Sequence, residues 1–265
     1  MNSYTKKQRL LTVDNLSLSY DDKPILRNIN LQIDNIIRPG ISQGQVVALL
    51  GPSGVGKTQL FRCLAGLQTP SGGTVKINEV AKTVCAGDVG VVFQSYPLFK
   101  HRTILSNLKL AAKSTSVADI ESQLNRFGLA DKKNLYPMQL SGGQQQRIAI
   151  IQQLLCSDHF LLFDEPFSGL DFKMKNEAIK VILEVSLLDD LNTSIITTHD
   201  IDTAVKIADE IWVLGFEKDA AGNKIPGATC IKKIDLIERE LAWNPDVENH
   251  KNFVPTVREI RELFV

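Results

Sequence analysis

Eight residues, Gly51-Pro52-Ser53-Gly54-Val55-Gly56-Lys57-Thr58, have the types and spacing to wrap a chain of phosphates. They fit the pattern G-x-x-x-x-G-K-[ST] in full. Glycines let the main chain close on an anion with no Cβ atoms in the way. Lys57 can reach the β- and γ-phosphates of a nucleotide, and the Thr58 hydroxyl can hold Mg2+. A chance glycine-rich turn is the alternative. The pattern alone also leaves kinases, GTPases and many ATPases open.

Four other places invite chemistry. Asp164-Glu165-Pro166 follows the apolar run Phe160-Leu161-Leu162-Phe163. Carboxylates at the C-terminal end of such a strand stand where α/β sheets bind ligands, unless they are simply two solvated acids. His199 follows Ser194-Ile195-Ile196-Thr197-Thr198, another strand end. A lone histidine is usually a satisfied surface or core residue, but this position makes it a candidate for the same crevice. Leu140-Ser141-Gly142-Gly143-Gln144-Gln145-Gln146-Arg147 reads as a second helix opening on glycines, with Ser141 as N-cap. Tyr20 closes an alternating strand and either packs or offers its ring to a base.

The elements that position these residues follow from periodicity. Val46-Val47-Ala48-Leu49-Leu50 reads as a buried strand before the glycines, and Leu60, Phe61, Leu64, Ala65 and Leu67 recur at helical spacing after them. The first N–H groups of that helix lack intrahelical partners and point at an anion. Upstream, Leu16, Leu18 and Tyr20, then Ile29, Leu31 and Ile33, alternate with polar residues and predict an antiparallel layer. Residues 34–43, with Pro39-Gly40, read as a loop or hairpin tip. Thr74-Val75-Lys76-Ile77 and Val89-Gly90-Val91-Val92-Phe93 predict strands, the second ending at Gln94. From 105 to 155 the texture is helical. Ile211-Trp212-Val213-Leu214 is the last clear strand, followed by a mixed tail and a terminal helix. An α/β fold with a mostly parallel sheet follows.

With 265 residues, 43% hydrophobic and 23% charged, the composition is that of an ordinary soluble globular chain. Thirty basic side chains balance thirty acidic ones, which argues against a general nucleic-acid binder. Cys63, Cys85, Cys156 and Cys230 form no C-x-x-C pair and no histidine clusters with them, so free thiols and no zinc site are expected. No apolar run approaches the roughly 18 residues of a membrane span, and the N-terminus is not a secretory signal.

Taken together, these motifs stand in the order found in ATP-binding subunits of ABC transporters, and the chain resembles them over roughly 11–215. Leu140-Ser141-Gly142-Gly143-Gln144 is the most specific element, similar to the family signature. The phosphate loop, Gln94, Asp164-Glu165, Ser168-Gly169-Leu170-Asp171 and His199 stand around it. The resemblance implies a P-loop NTPase core with an N-terminal antiparallel β layer and a helical subdomain inserted at about 98–156. It implies an ATPase domain over 11–238 and a short tail over 239–265. It implies ATP and Mg2+ as cofactors. Tyr20 would stack on adenine, Gln94 would contact Mg2+ or the attacking water, and Asp164 would hold the Mg2+ shell. Glu165 would orient or deprotonate water, and His199 would contact the γ-phosphate. Ser141, Gly142, Gly143 and Gln144 would reach the ATP of a second subunit, identical or related, with Asp171 joining the two sites.

Four departures stand out. Thr58 replaces the commoner serine. Gly169 stands where alanine is usual and is expected to loosen its loop. Loop 34–43 looks long. Lys100 stands where importers often carry proline. Lys232-Lys233-Ile234-Asp235 approaches a guanine motif but lacks the asparagine and reads as a charged run in helix-like surroundings. A non-transport ABC ATPase of translation or DNA is the rival. The chain carries neither long heptad arms nor a second cassette. An importer subunit is therefore expected, peripheral on the cytoplasmic face of the cell membrane. Its partners would be integral membrane subunits, a second ATP-binding subunit and a solute-binding protein, with no nucleic acid. Tyr96, Leu98 and Phe99 are expected either to form an exposed docking patch or to pack under the helices.

Overall fold

In the computed structural model, residues 4–264 are described except 39, 42, 78–80, 94–96, 113–115 and 158. The N-terminal alternation folds as two long antiparallel strands, β1 (Thr5–Tyr20) and β2 (Lys23–Ile37). Asp21 and Asp22 join them at φ 46° and 60°, the left-handed pair that suits a two-residue hairpin between right-twisted strands. The stretch from Asp34 to Ile37, expected as part of a loop or hairpin tip, continues β2. Ile36 and Ile37 lie opposite Lys6 and Thr5, and Arg38 pairs with Ile41 in an isolated bridge. The distant partner decides this, because an extended segment becomes a strand only when its N–H and C=O groups find a ladder.

The chain continues through β3 (Gln45–Leu50), α1 (Lys57–Leu64), β4 (Gly72–Ile77), β5 (Lys82–Thr83) and β6 (Gly90–Val92). Three helices follow, α2 (Ile104–Ala111), α3 (Val117–Arg126) and α4 (Gly142–Leu154). Then come β7 (Phe160–Asp164), α5 (Phe172–Ser186), β8 (Thr193–Thr198), α6 (Ile201–Ile207), β9 (Glu210–Gly215), β10 (Thr229–Asp235) and α7 (Phe253–Glu262). One sheet is antiparallel, in the order β2-β1-β4-β5. The other runs β10-β9-β3-β8-β7-β6, parallel throughout except for β10.

Every residue of β3 and β8 is buried, which is what a parallel sheet covered on both faces requires. Alternate side chains serve two cores. Val46, Ala48 and Leu50 join Phe163, Ile196 and the helices α2, α4 and α5. Val47 and Leu49 join Leu162, Ile195, α1 and the antiparallel layer. Because β3, β8 and β7 are neighbours, their C-terminal ends deliver the phosphate loop, His199 and Asp164-Glu165 to one edge.

Beyond the last strand expected, β10 adds an antiparallel edge, and Lys232-Lys233-Ile234-Asp235 lies in it, not in helix-like surroundings. Pairing with β9 overrides a run whose charges mask its alternation. The C-terminal residues Leu241, Val247, Phe253, Val257 and Ile260 pack into the helix-side core. Arg239 grips Glu259 with two bonds of 2.7 and 3.2 Å, and Lys232 pairs with the same carboxylate. Those bonds hold the Glu259 carboxyl well below the usual carboxylate range, at about 2.

Candidate functional site

The glycines of the phosphate loop are there for room and for backbone sign. A Cβ on Gly51 would lie 2.8 Å from a Val55 methyl and 2.9 Å from the Leu214 carbonyl. Gly56 has φ 110° and would push a Cβ to 3.0 Å from Leu26, so it turns the chain into α1 where other residues strain. Val55 is buried, while Pro52, Ser53, Gly54 and Thr58 are exposed along the loop. Lys57 is only 8% exposed. Its ammonium donates to the carbonyls of Gly51 (2.8 Å) and Pro52 (3.2 Å) and lies 3.5 Å from Glu165 Oε1.

Tyr20 stands beside this loop. Its hydroxyl donates to Gln59 of α1 at 2.9 Å, and the residue is 41% exposed. It is not a core tyrosine, so its ring is accessible next to the phosphate loop.

Asp164 ends β7, and Glu165 follows in the left-handed region at φ 46°. The Glu165 carboxylate lies between two cationic or imidazole partners, Lys57 on one oxygen and His199 Nδ1 at 3.0 Å on the other. The His199 side chain is 63% exposed. With Nδ1 turned to a carboxylate, Nε2 is left to face a ligand. The Thr197 hydroxyl donates to Asp164 Oδ1 at 2.9 Å, and Thr197 Oγ1 accepts the Glu165 N–H at 3.0 Å. Thr197 was not singled out from the sequence. Its only signal is the register that sets it beside Asp164 in the adjacent strand, which no local pattern reveals.

The hard oxygens of Thr58 and Asp164 are of the kind Mg2+ prefers, and one or two carboxylates with substrate phosphates are its usual complement. No group of three or more His, Cys, Asp or Glu side chains that could hold a metal occurs among the described residues.

Ser141 caps α4 in a reciprocal box. Its hydroxyl accepts the Gln144 N–H at 3.3 Å, and the Gln144 side chain accepts the Ser141 N–H at 3.0 Å. Ser141, Gly142, Gly143 and Gln144 line a cavity of about 400 Å³ with Leu170 and with Met174, Glu177 and Val181 of α5, and no phosphate-loop residue lines it. In that cavity the glycine-opened helix faces α5 and the turn before it, not the phosphate loop. Asp171 caps α5, accepting the Met174 N–H at 2.8 Å, and the next residue, Phe172, is 81% exposed. Gly169 has φ 74° in the intervening turn, a conformation that itself favours glycine.

Gln94, with Ser95 and Tyr96, lies outside the described residues. Of the apolar residues that follow, Leu98 packs partly against the core and Phe99 is 47% exposed. Asn107, fully buried on α2, clamps this turn. Its amide donates to the carbonyls of Phe99, Arg102 and Thr103 at 3.0–3.2 Å, and its oxygen accepts the Phe99 N–H at 2.8 Å. No helix among the described residues is long and apolar enough to cross a membrane.

Comparison with known proteins adds a second line. Residues 35–168 match the family model described as ABC transporter. The L-cystine import ATP-binding protein TcyC of Bacillus subtilis (strain 168) is 37% identical over 76% of this chain and 85% of its own length. The arginine transport ATP-binding protein ArtM of the same strain is 36% identical over 76% and 86%. A solved structure described as cbiO1 from Clostridium perfringens, part of the ABC transporter complex cbiONQ, superposes with a TM-score of 0.72 at 25% identity. It covers 98% of this chain and 100% of that one.

Proposed function

The chain belongs to the ABC transporter family and carries its ATPase domain, and from that premise we propose that it hydrolyses Mg2+-ATP to power a membrane importer of a small solute. The observation that carries the mechanism is the Lys57–Glu165–His199 cluster beside the phosphate loop.

The loop amides and Lys57 hold the β- and γ-phosphates, and Tyr20 stacks on the adenine. Thr58, Asp164 and Gln94 would hold Mg2+, which would neutralise charge on the phosphate oxygens. Glu165 orients the attacking water and takes its proton as the oxygen bonds to the γ-phosphorus and the bond to ADP breaks. His199, oriented through Nδ1 by Glu165, turns Nε2 to the γ-phosphate.

The second half of each site comes from another subunit. The free N–H groups at the start of α4, Gly143 among them, and the Ser141 hydroxyl suit an anion presented from outside the chain. Two subunits then sandwich two ATP molecules, with Asp171 at the junction. Ser141→Arg places a bulky cation there and abolishes ATPase activity of the homodimer, measured by phosphate release. Mixed with Lys57→Ala, it restores part of the activity, since one composite site is free of both changes. Unchanged activity of Ser141→Arg reduces Ser141 to a helix cap.

The names of the relatives, import ATP-binding proteins for cystine and sulfate among them, support import over export. Integral membrane subunits, with a solute-binding protein delivering the cargo, would hold the chain on the cytoplasmic face. Phe99, exposed on a turn braced by Asn107, is the residue to dock a partner helix. Phe99→Asp should release the subunit from membranes carrying its partner while nucleotide affinity is kept. Undiminished co-sedimentation would discard that docking role.

A further inference from the structure

Resting on the roles given above to Asp164 and Glu165, we propose that Thr197 is a positioning residue that sets both carboxylate-bearing residues at once. Thr197 lies in β8 directly opposite Asp164 of β7. It is fully buried, so no water competes for its hydroxyl. The direction of its two bonds is settled by chemistry. The Glu165 N–H can only donate, and it reaches Oγ1 at 3.0 Å. The one hydroxyl proton is then left for Asp164 Oδ1, 2.9 Å away. Thr198, the next residue, uses its hydroxyl to accept the Asp200 N–H, so the site-facing group is Thr197 alone of the pair.

The consequence for Asp164 is a fixed carboxylate. One oxygen, Oδ1, is held by a donor, which restrains rotation of the carboxylate. For Glu165 the bond anchors the amide of a residue in the left-handed region, a conformation that non-glycine residues adopt at a cost. That backbone turn aims the Glu165 side chain at Lys57 and His199. A single hydroxyl thus ties the Asp164 carboxylate to the backbone amide of Glu165.

Thr197→Ser keeps the hydroxyl, and Thr197→Ala differs from it by that oxygen only. We expect Thr197→Ala to lose roughly 10- to 100-fold in turnover or in metal affinity, as is usual when the partner of a metal-facing group is removed. The Mg2+ concentration that half-saturates the ATP-dependent melting shift should rise with it. Thr197→Ser should keep most of the wild-type turnover and Mg2+ dependence. Should Thr197→Ala fail to fold, Thr197→Val, which keeps the volume, takes its place against the same serine variant. Equal turnover and equal Mg2+ dependence in the two variants overturn the proposal. So does a folded serine variant that falls as far as alanine, because the missing methyl would then be responsible. Glu165→Gln serves as the control. If it is inactive, a failed threonine test sinks the Thr197 role alone, whereas full turnover of Glu165→Gln sinks the reading beneath it.

Discussion

Glu165→Gln slows ATP hydrolysis by roughly 10²–10⁴, about 3–5 kcal/mol of barrier, while ATP still binds. The amide keeps the shape of the side chain and can still meet His199, which lies 3.0 Å from the carboxylate. What it loses is the ability to take a proton from water. It also removes the negative charge 3.5 Å from Lys57, so the ammonium is freer to turn to phosphate. Tight binding without turnover should therefore accumulate an ATP-bound dimer, read on a sizing column beside phosphate release. A monomer throughout, turning over at the wild-type rate, contradicts the role of Glu165 as base.

Lys57→Ala removes most of the stabilisation that ATP confers. At a hundredfold excess over Kd the linkage gain for the wild type is about 2.7 kcal/mol. In a domain of this size that corresponds to a rise of roughly 5–10 °C in melting midpoint. Lys57 is nearly buried and its bonds go to the loop's own carbonyls and toward Glu165, so its loss also alters the protein without ligand. The comparison is therefore between each protein with and without ATP, not between the two proteins. A variant whose ATP-dependent shift is undiminished refutes the phosphate-loop assignment.

How much of this was legible beforehand differs from element to element. The phosphate loop, the glycine-opened helix at Ser141 and the strand before Asp164 are contiguous patterns. Their meaning lies in local dihedrals, caps and periodicity, so the sequence by itself determined them, along with the α/β class and the family. Asp34-Asn35-Ile36-Ile37 was read as the start of a loop or hairpin tip and the strand 229–235 was missed, because each is extended only through a ladder with residues far away. The same reason hid Asn107, whose polar side chain looks like any helix asparagine until the turn at 99–103 folds over it. The site divides in the same way. Lys57, Glu165 and His199 were each visible at the end of a strand or the start of a helix. That they meet, with Thr197 joining Asp164 to Glu165, was decided by strand order and register in the parallel sheet. Those are properties of packing between segments separated by tens of residues, and no window along the chain contains them.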